Sequence, residues 1–250
     1  MLHVFIGYDD REREAFEVCA DSLRRFTTMP LAIRAVRQDN LRERGLYTRP
    51  ADEPASTQFA FTRFLVPHLC DYKGTALFVD CDFLFTQDIR NLLRIVQAKQ
   101  AATNPFQYSV ACVKHDYTPK ASIKMDGQKQ TAYPRKNWSS LMLFNNPHCK
   151  TLTPQYVNEA SPQALHRFAW TPDAQIMDLP LEWNWLEGEY DWPKVSATQA
   201  PPAGIHFTNG GPWHYNHKAV RFGDYWTHAL ATLRFEREQQ QKQTQGGGKS

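Results

Sequence analysis

The chain has 250 residues, 42% of them hydrophobic and 13% aromatic, enough for one sizeable core. A formal net charge of +3, with 22% charged residues, lacks the basic excess of a nucleic-acid binder and leaves room for peripheral contact with an anionic membrane surface. Cys19, Cys70, Cys81, Cys112 and Cys149 are scattered, odd in number and mostly set in apolar runs. That pattern reads as buried thiols of a reducing compartment and excludes a disulfide framework. The opening Met-Leu-His-Val-Phe-Ile-Gly is no secretory leader, and no stretch has bilayer-spanning length. The expectation is a soluble cytoplasmic protein, touching the inner membrane face at most peripherally.

Residues 2–6 predict a short buried strand ending at Gly7, and residues 11–26 a helix with Ala15, Phe16, Cys19, Leu23 and Phe26 in helical period. Strand, tight turn and helix at the outset is how a doubly wound α/β sheet begins. Residues 31–36 predict a second strand, and 37–57, broken by Gly45, Pro50 and Pro54, a loop with room for one helical turn. A helix is expected over 59–69, kinked or ended by Pro67. Thr-Ala-Leu-Phe-Val at 75–79 has the continuous apolar character of a central parallel strand. A helix over 88–97 follows.

Two further strands are expected at 108–114 and 139–144, separated by a long polar segment, 116–137, of the kind that is functional or mobile. After Thr171-Pro172 the pattern predicts a short helix over 171–178. A late strand is expected at 203–207 and a final helix at 222–236. The Gln-rich tail from 237 to 250 cannot bury a face and is expected to be disordered. The fold expectation is one α/β domain, 1–236, with a mixed, mostly parallel central sheet flanked by helices.

The chemistry-bearing signal is Asp80-Cys81-Asp82, set between Ala-Leu-Phe-Val and Phe-Leu-Phe. In an extended chain, side chains at i and i+2 point the same way, so both carboxylates can face one site. In open α/β sheets ligands sit beyond the carboxyl ends of the strands. Two hard oxygen ligands there suit a divalent cation carrying a diphosphate. Solvated turn carboxylates are the bland reading of the same segment, although their apolar flanks make such a pair costly unless it is satisfied.

With Asp80-Cys81-Asp82 in view, the chain resembles the family 8 glycosyltransferases and their close relatives, in four segments that fall in order over most of residues 1–213. The resemblance implies the GT-A fold and transfer of a sugar, with retention of configuration, from a UDP-sugar donor to a glycan or glycolipid acceptor, as in polysaccharide biosynthesis. Val-Phe-Ile-Gly-Tyr-Asp-Asp is similar to the family's first strand, which implies base and ribose contacts from Gly7, Tyr8 and Asp9. Phe-Ala-Phe-Thr-Arg-Phe-Leu-Val-Pro-His-Leu is similar to the helix whose arginine reaches the nucleotide, here Arg63. Its apolar neighbours point to a buried partner. Asp80 and Asp82 are the implied metal and diphosphate ligands.

Ile-His-Phe-Thr-Asn-Gly-Gly-Pro-Trp is similar to the segment carrying the third metal ligand, here His206. An Asp-Asp-His set favours Mn2+, with Mg2+ the alternative, because imidazole suits transition metals. This segment is one residue short, and Gly211 stands where a phosphate-binding lysine is expected. The diphosphate grip then falls to the Asn209-Gly210-Gly211 turn, or to Lys218 or Arg221. The stretch from Trp170 to Asn184 is similar to the family's Asp-Gln-Asp segment near the reacting sugar, which implies catalytic roles for Asp173 and Gln175. Ala174 breaks the pattern, and a carboxylate at a helix start is the structural alternative for Asp173. In the inner segment 136–145, Trp138-Ser139-Ser140 replaces the family's Asn-Ala-Gly, so sugar preference does not carry over.

Trp183, Trp185, Tyr190 and Trp192 alternate with Glu182, Glu187, Glu189 and Asp191, a composition that suits a sugar ring as well as it suits core packing. Among the late histidines only His206 fits a ligand role, since His214 and His217 match no zinc spacing. Ser139-Ser140 lacks the elbow of a nucleophilic serine, and neither Gly-x-Gly-x-x-Gly nor a Walker sequence occurs. Two rivals remain at this level. One is a sugar-nucleotide-forming nucleotidyltransferase, which would normally carry a Gly-rich basic loop after the first strand. The other is a catalytically inert carbohydrate- or nucleotide-binding domain.

Overall fold

The computed structural model describes residues 1–51, 55–102, 108–117, 134–191, 200–214 and 220–246. The first strand, β1 (Leu2–Gly7), is buried along nearly its whole length. A 3-10 turn at Asp10–Glu12 then leads into α1 (Arg13–Phe26). Ala15, Val18, Cys19, Ser22 and Leu23 form the buried stripe of α1, spaced as a helix requires. The edge strand β2 (Leu31–Val36) pairs parallel with β1 and is half-exposed. α2 (Gln38–Glu43) follows, then a 3-10 turn at Thr62–Leu65 and α3 (Val66–Leu69).

β3 (Thr75–Val79) is the central strand its apolar run predicts, parallel to β1. The chain turns at Cys81–Asp82 and leaves the large sheet as β4 (Phe83–Phe85), ahead of α4 (Ile89–Ala102). β5 (Val110–Cys112), β6 (Leu141–Asn145), α5 (Pro154–Glu159), α6 (Pro162–His166), β7 (Ile176–Asp178), β8 (Trp185–Leu186), β9 (Gly204–His206) and α7 (Gly223–Gly246) complete the order.

The main sheet has six strands in the order β2-β1-β3-β6-β5-β7. Only β6 runs against its neighbours, so the sheet is mixed and mostly parallel, as expected. A second sheet, β4-β9-β8, holds three strands and packs its apolar side against α1 and α7. All five cysteines are free thiols and four of them are buried. No helix among the described residues is long and apolar enough to cross a membrane.

Three local expectations need correction. Residues 171–178 do not form a helix: a 3-10 turn at Asp173–Gln175 runs into β7, because backbone pairing with β5 overrides the short local pattern. The Asp80-Cys81-Asp82 segment is a turn rather than extended strand. The final helix does not stop at 236 but continues to Gly246. Its added stretch is rich in Gln, Glu, Lys and Arg, which are good helix formers, and α7 is pinned to α1 by the pairs Arg25–Glu236, Arg234–Glu14 and Arg237–Glu17.

The His166 ring lies among Phe61, Phe64 and Ser139, its Nδ1 2.8 Å from the Ser139 hydroxyl. Burial first, then the charges of Arg63 and Arg49, push its pKa down to about 3. A histidine kept neutral when folded costs stability only where the unfolded chain protonates, below about pH 6.5. Stability should therefore fall as pH drops from 6.5 towards 3, by up to about 1.4 kcal/mol per unit for this residue. Urea melts of the native chain and of His166→Gln should differ in that slope and converge above pH 7.

Candidate functional site

β1 and β3 lie side by side with Ile6 opposite Val79, so the residues after both strands emerge on one edge of the sheet. Gly7, Tyr8 and Asp9 stand beside Asp80 there. β4 then pairs antiparallel with β9, placing Phe83 opposite His206. That pairing delivers a histidine from the far end of the chain to the paired acids. Ligand atoms of Asp80, Asp82 and His206 all lie within 4.8 Å of one another, with the carboxylates half-buried and the imidazole buried.

The imidazole is oriented from behind. Its ring stacks on Phe83 at 4.5 Å, and Nδ1 lies 2.9 Å from Oδ1 of Asn184. The Asn184 amide is itself fixed: its Nδ2 donates to Ser140 Oγ at 2.8 Å and to the Asn137 carbonyl at 3.4 Å. A carbonyl only accepts, so the amide nitrogen must face Asn137 and the amide oxygen must face His206. Nδ1 of His206 therefore carries a proton, and Nε2 is the ring nitrogen turned towards Asp82, 3.3 Å from its Oδ2. Imidazole and carboxylate oxygens together form a donor set of the kind that holds a divalent transition metal.

Asp80 is oriented by Arg63, whose Nη1 lies 2.7 Å from its Oδ1. Arg63 is 5% exposed, donates to the Ser139 and Phe59 carbonyls, and has the Phe59 and Phe78 rings about its guanidinium. The buried partner expected of Arg63 is thus Asp80, a carboxylate of the candidate metal cluster. Beneath the turn, Cys81 Sγ donates to Glu12 at 3.2 Å, and Glu12 also lies 3.8 Å from His214. The turn after β1 is thereby tied both to the acidic pair and to the segment that follows His206.

The other residues singled out in the sequence divide. Gly7 is required by packing, since a Cβ there would sit 2.4 Å from the Phe59 ring. The Tyr8 ring is half-buried and covered by the Arg37 guanidinium at 4.2 Å. Asp9 is fully buried and caps the first 3-10 turn, with both oxygens engaged by Arg11 and one also by the Gln58 N–H. Burial opposes its charge, but those hydrogen bonds outweigh burial and hold its carboxyl below the usual range.

In the turn after β9, the Gly210 N–H is taken by the Phe207 carbonyl and the Asn209 amide donates to Glu189 at 2.9 Å. Gly211 admits no side chain, because a Cβ would fall 2.1 Å from the Trp213 ring. Arg221 presents its backbone N–H to Glu187 at 3.0 Å. Lys218, proposed as an alternative grip, and Trp192 lie outside the described residues.

Asp173 and Gln175 are not brought to the triad. Gln175 accepts from Ser109 Oγ at 2.7 Å, where β7 starts beside the start of β5. Register through β6 carries that point to Ala76, at the opposite end of β3 from Asp80. Four residues of strand, roughly 13 Å, separate the two. Asp173 is exposed and pairs with Arg135 at 2.6 Å, a contact that lowers its pKa. The side chains in direct contact with the triad are Arg63, Phe83 and Asn184, with Ser140 fixing Asn184 behind it. Sequence reading had Asn184 on the page as part of Leu-Glu-Trp-Asn, but gave it no role.

Comparison with known proteins fits this architecture. No family model matches the chain. The Arabidopsis thaliana Protein CDI is 44% identical over 231 residues, covering 92% of this chain and 86% of that protein. The chain belongs to the Protein CDI family. Among solved structures, the glycosyltransferase GlyE of Streptococcus pneumoniae TIGR4 superposes with a TM-score of 0.58 at 14% identity, over 96% of this chain and 64% of GlyE. This chain therefore spans less than two thirds of GlyE's length. The galactosyltransferase LgtC, solved with donor and acceptor sugar analogs, gives a TM-score of 0.53 at 12% identity, over 93% of this chain and 96% of LgtC. This member of the CDI family thus has the GT-A fold, as the family 8 resemblance implied, and at these identities the likeness speaks for the fold.

Asn184→Ala should keep the fold and lower manganese affinity about 10- to 100-fold, the usual effect of removing the group that orients a ligating histidine. Calorimetric titration of Mn2+ in the presence of UDP measures it. Unchanged affinity would show that the amide does not support the site.

Proposed function

We propose that this chain is a metal-dependent glycosyltransferase that moves a sugar from a nucleotide diphosphate, UDP in the first instance, to an acceptor hydroxyl. The observation that carries the proposal is the Asp80–Asp82–His206 cluster, at the carboxyl edge of a GT-A sheet, with the imidazole Nδ1 held by Asn184 and Nε2 turned towards Asp82. The GT-A neighbours support the reading: LgtC is by name a galactosyltransferase and GlyE a glycosyltransferase.

A divalent cation held by the three residues, Mn2+ before Mg2+, would supply Lewis-acid charge to the diphosphate oxygens. Around it the chain's own groups have distinct tasks. Arg63 keeps the Asp80 carboxylate directed and ionised, and Asn184 keeps His206 in its ligating tautomer. Gly7 and Tyr8, on the same edge as Asp80, stand where a nucleoside would enter. The turn at 209–211 faces the diphosphate. In the reaction, the bond from the anomeric carbon to the diphosphate oxygen breaks and a bond to the acceptor oxygen forms. The hydroxyl proton passes to the departing diphosphate, a front-face route that retains configuration and needs no protein base. Asp173 and Gln175, displaced from the triad, take no part in it. The acceptor is a glycan or glycolipid.

Asp82→Asn and His206→Ala should each abolish the manganese-dependent thermal shift with UDP and lower hydrolysis of a panel of UDP-sugars by on the order of 100-fold or more. Full turnover in both variants refutes the metal assignment. A preference for nucleoside triphosphates points instead to a nucleotidyltransferase, and indifference to all nucleotides to an inert carbohydrate-binding domain.

A further inference from the structure

Of the aromatic residues that the sequence groups together, Trp185 and Tyr190 keep their rings in contact, 5.3 Å apart, but they differ in exposure. Trp183 and Trp185 are core residues at 1% and 7% exposure, whereas Tyr190 is half-buried and turns towards two side chains from the segment after β5. Its ring stacks with His115 at 5.8 Å and lies 5.8 Å from that of Tyr117, tilted by 58°. Tyr117 is likewise half-buried, so both tyrosines keep part of their surface open beside one another.

Hydrogen bonds join this aromatic cluster to the metal triad. Asn137 donates to the Tyr117 hydroxyl at 2.7 Å and to Thr208 Oγ at 3.2 Å, two residues beyond His206. The Asn137 carbonyl accepts from Ser140 and Asn184, the residue that orients His206. Asn137 adopts a left-handed backbone, φ +63°, a conformation that Asn tolerates better than other L-residues and that the surrounding bonds hold in place. His115, 5% exposed, lies 2.9 Å from the Tyr190 hydroxyl through Nδ1. Asn184 and His206 both influence its ionisation, which places the ring next to the triad's support. Asp116 and Glu189 raise the Tyr190 pKa after burial has done so, so carboxylates flank that phenol.

We propose that Tyr117 and Tyr190, braced by Asn137 and His115, form the acceptor subsite and bind a neutral sugar ring. The proposal rests on the donor site assigned above and adds the class of acceptor. Sugar C–H faces pack against aromatic rings while their hydroxyls donate to carboxylates and amides. Phosphorylated or uronic acceptors would meet Asp116 and Glu189 as like charges.

The test uses saturation-transfer NMR on the full chain with UDP and Mn2+ present. The probes are methyl α-glucoside and methyl β-galactoside against methyl β-glucuronide and glucose 1-phosphate. Transfer to at least one neutral glycoside is expected, weakened at least tenfold in Tyr190→Ala and in Tyr117→Ala and largely restored in Tyr117→Phe. Should Tyr190→Ala fail to fold, Tyr117→Ala and its Phe counterpart carry the result alone. Stronger transfer to the anionic probes, undiminished transfer in the alanine variants, or no transfer to any neutral probe overturns the proposal. The donor reading is scored separately by the UDP–manganese thermal shift, which can fail while the glycoside signals persist.

Discussion

The antiparallel pairing of β4 with β9 is the constraint on which the site depends. Only three residues on each strand take part, yet their register sets Phe83 against His206 and brings the imidazole to Asp82. The pairing exists because the chain abandons the main sheet immediately after Asp80: one more residue of continuation along β3 would leave β4 without its partner. The turn at Cys81–Asp82 is therefore both the end of one sheet and the entry to another. Side chains at such a junction are held by two bodies of structure at once. That rigidity is what a small, highly charged cluster needs.

The same junction raises the problem of charge near an apolar core. Asp80 follows a strand of buried apolar residues, and its compensation comes from Arg63, which is itself buried among aromatic rings and satisfied by backbone carbonyls. Removing either partner of such a pair leaves the other stranded, which is costlier than never having had the pair. Fold and site thus share side chains: Arg63 belongs to the packing of Phe59 and Phe78 as much as to the acidic cluster.

What could be read from the sequence follows from how each signal is encoded. Continuous apolar runs announced β1 and β3, and the acids between Val79 and Phe83 announced the site, because both are local patterns. His206 was reachable only through resemblance, since no spacing rule links residues joined by a tertiary strand pair. β4, β7 and β8 were missed as strands: such short elements carry no period, and unlike β5 and β9 they do not fall in the middle of a longer apolar run set off by turns. Gln175 stands apart from the triad for a related reason. Its local sequence suited the site, but the register of β7 against β5, and of β5 against β6, put it at the wrong end of the sheet. Asn184, Glu12 and His115 act through contacts that cross the chain, and a backbone carbonyl, invisible in any motif, is what fixes the Asn184 amide.

The close approach of Trp213 to Gly211 bears on how this lineage can change. Placing a lysine at that position is not a single step, because the first atom of any side chain would collide with the indole. The tryptophan, which packs against Phe207 and Trp226, would have to shrink or swing away first. Position 211 is in this sense locked by its neighbour: a basic side chain could enter there only as the second of two linked changes.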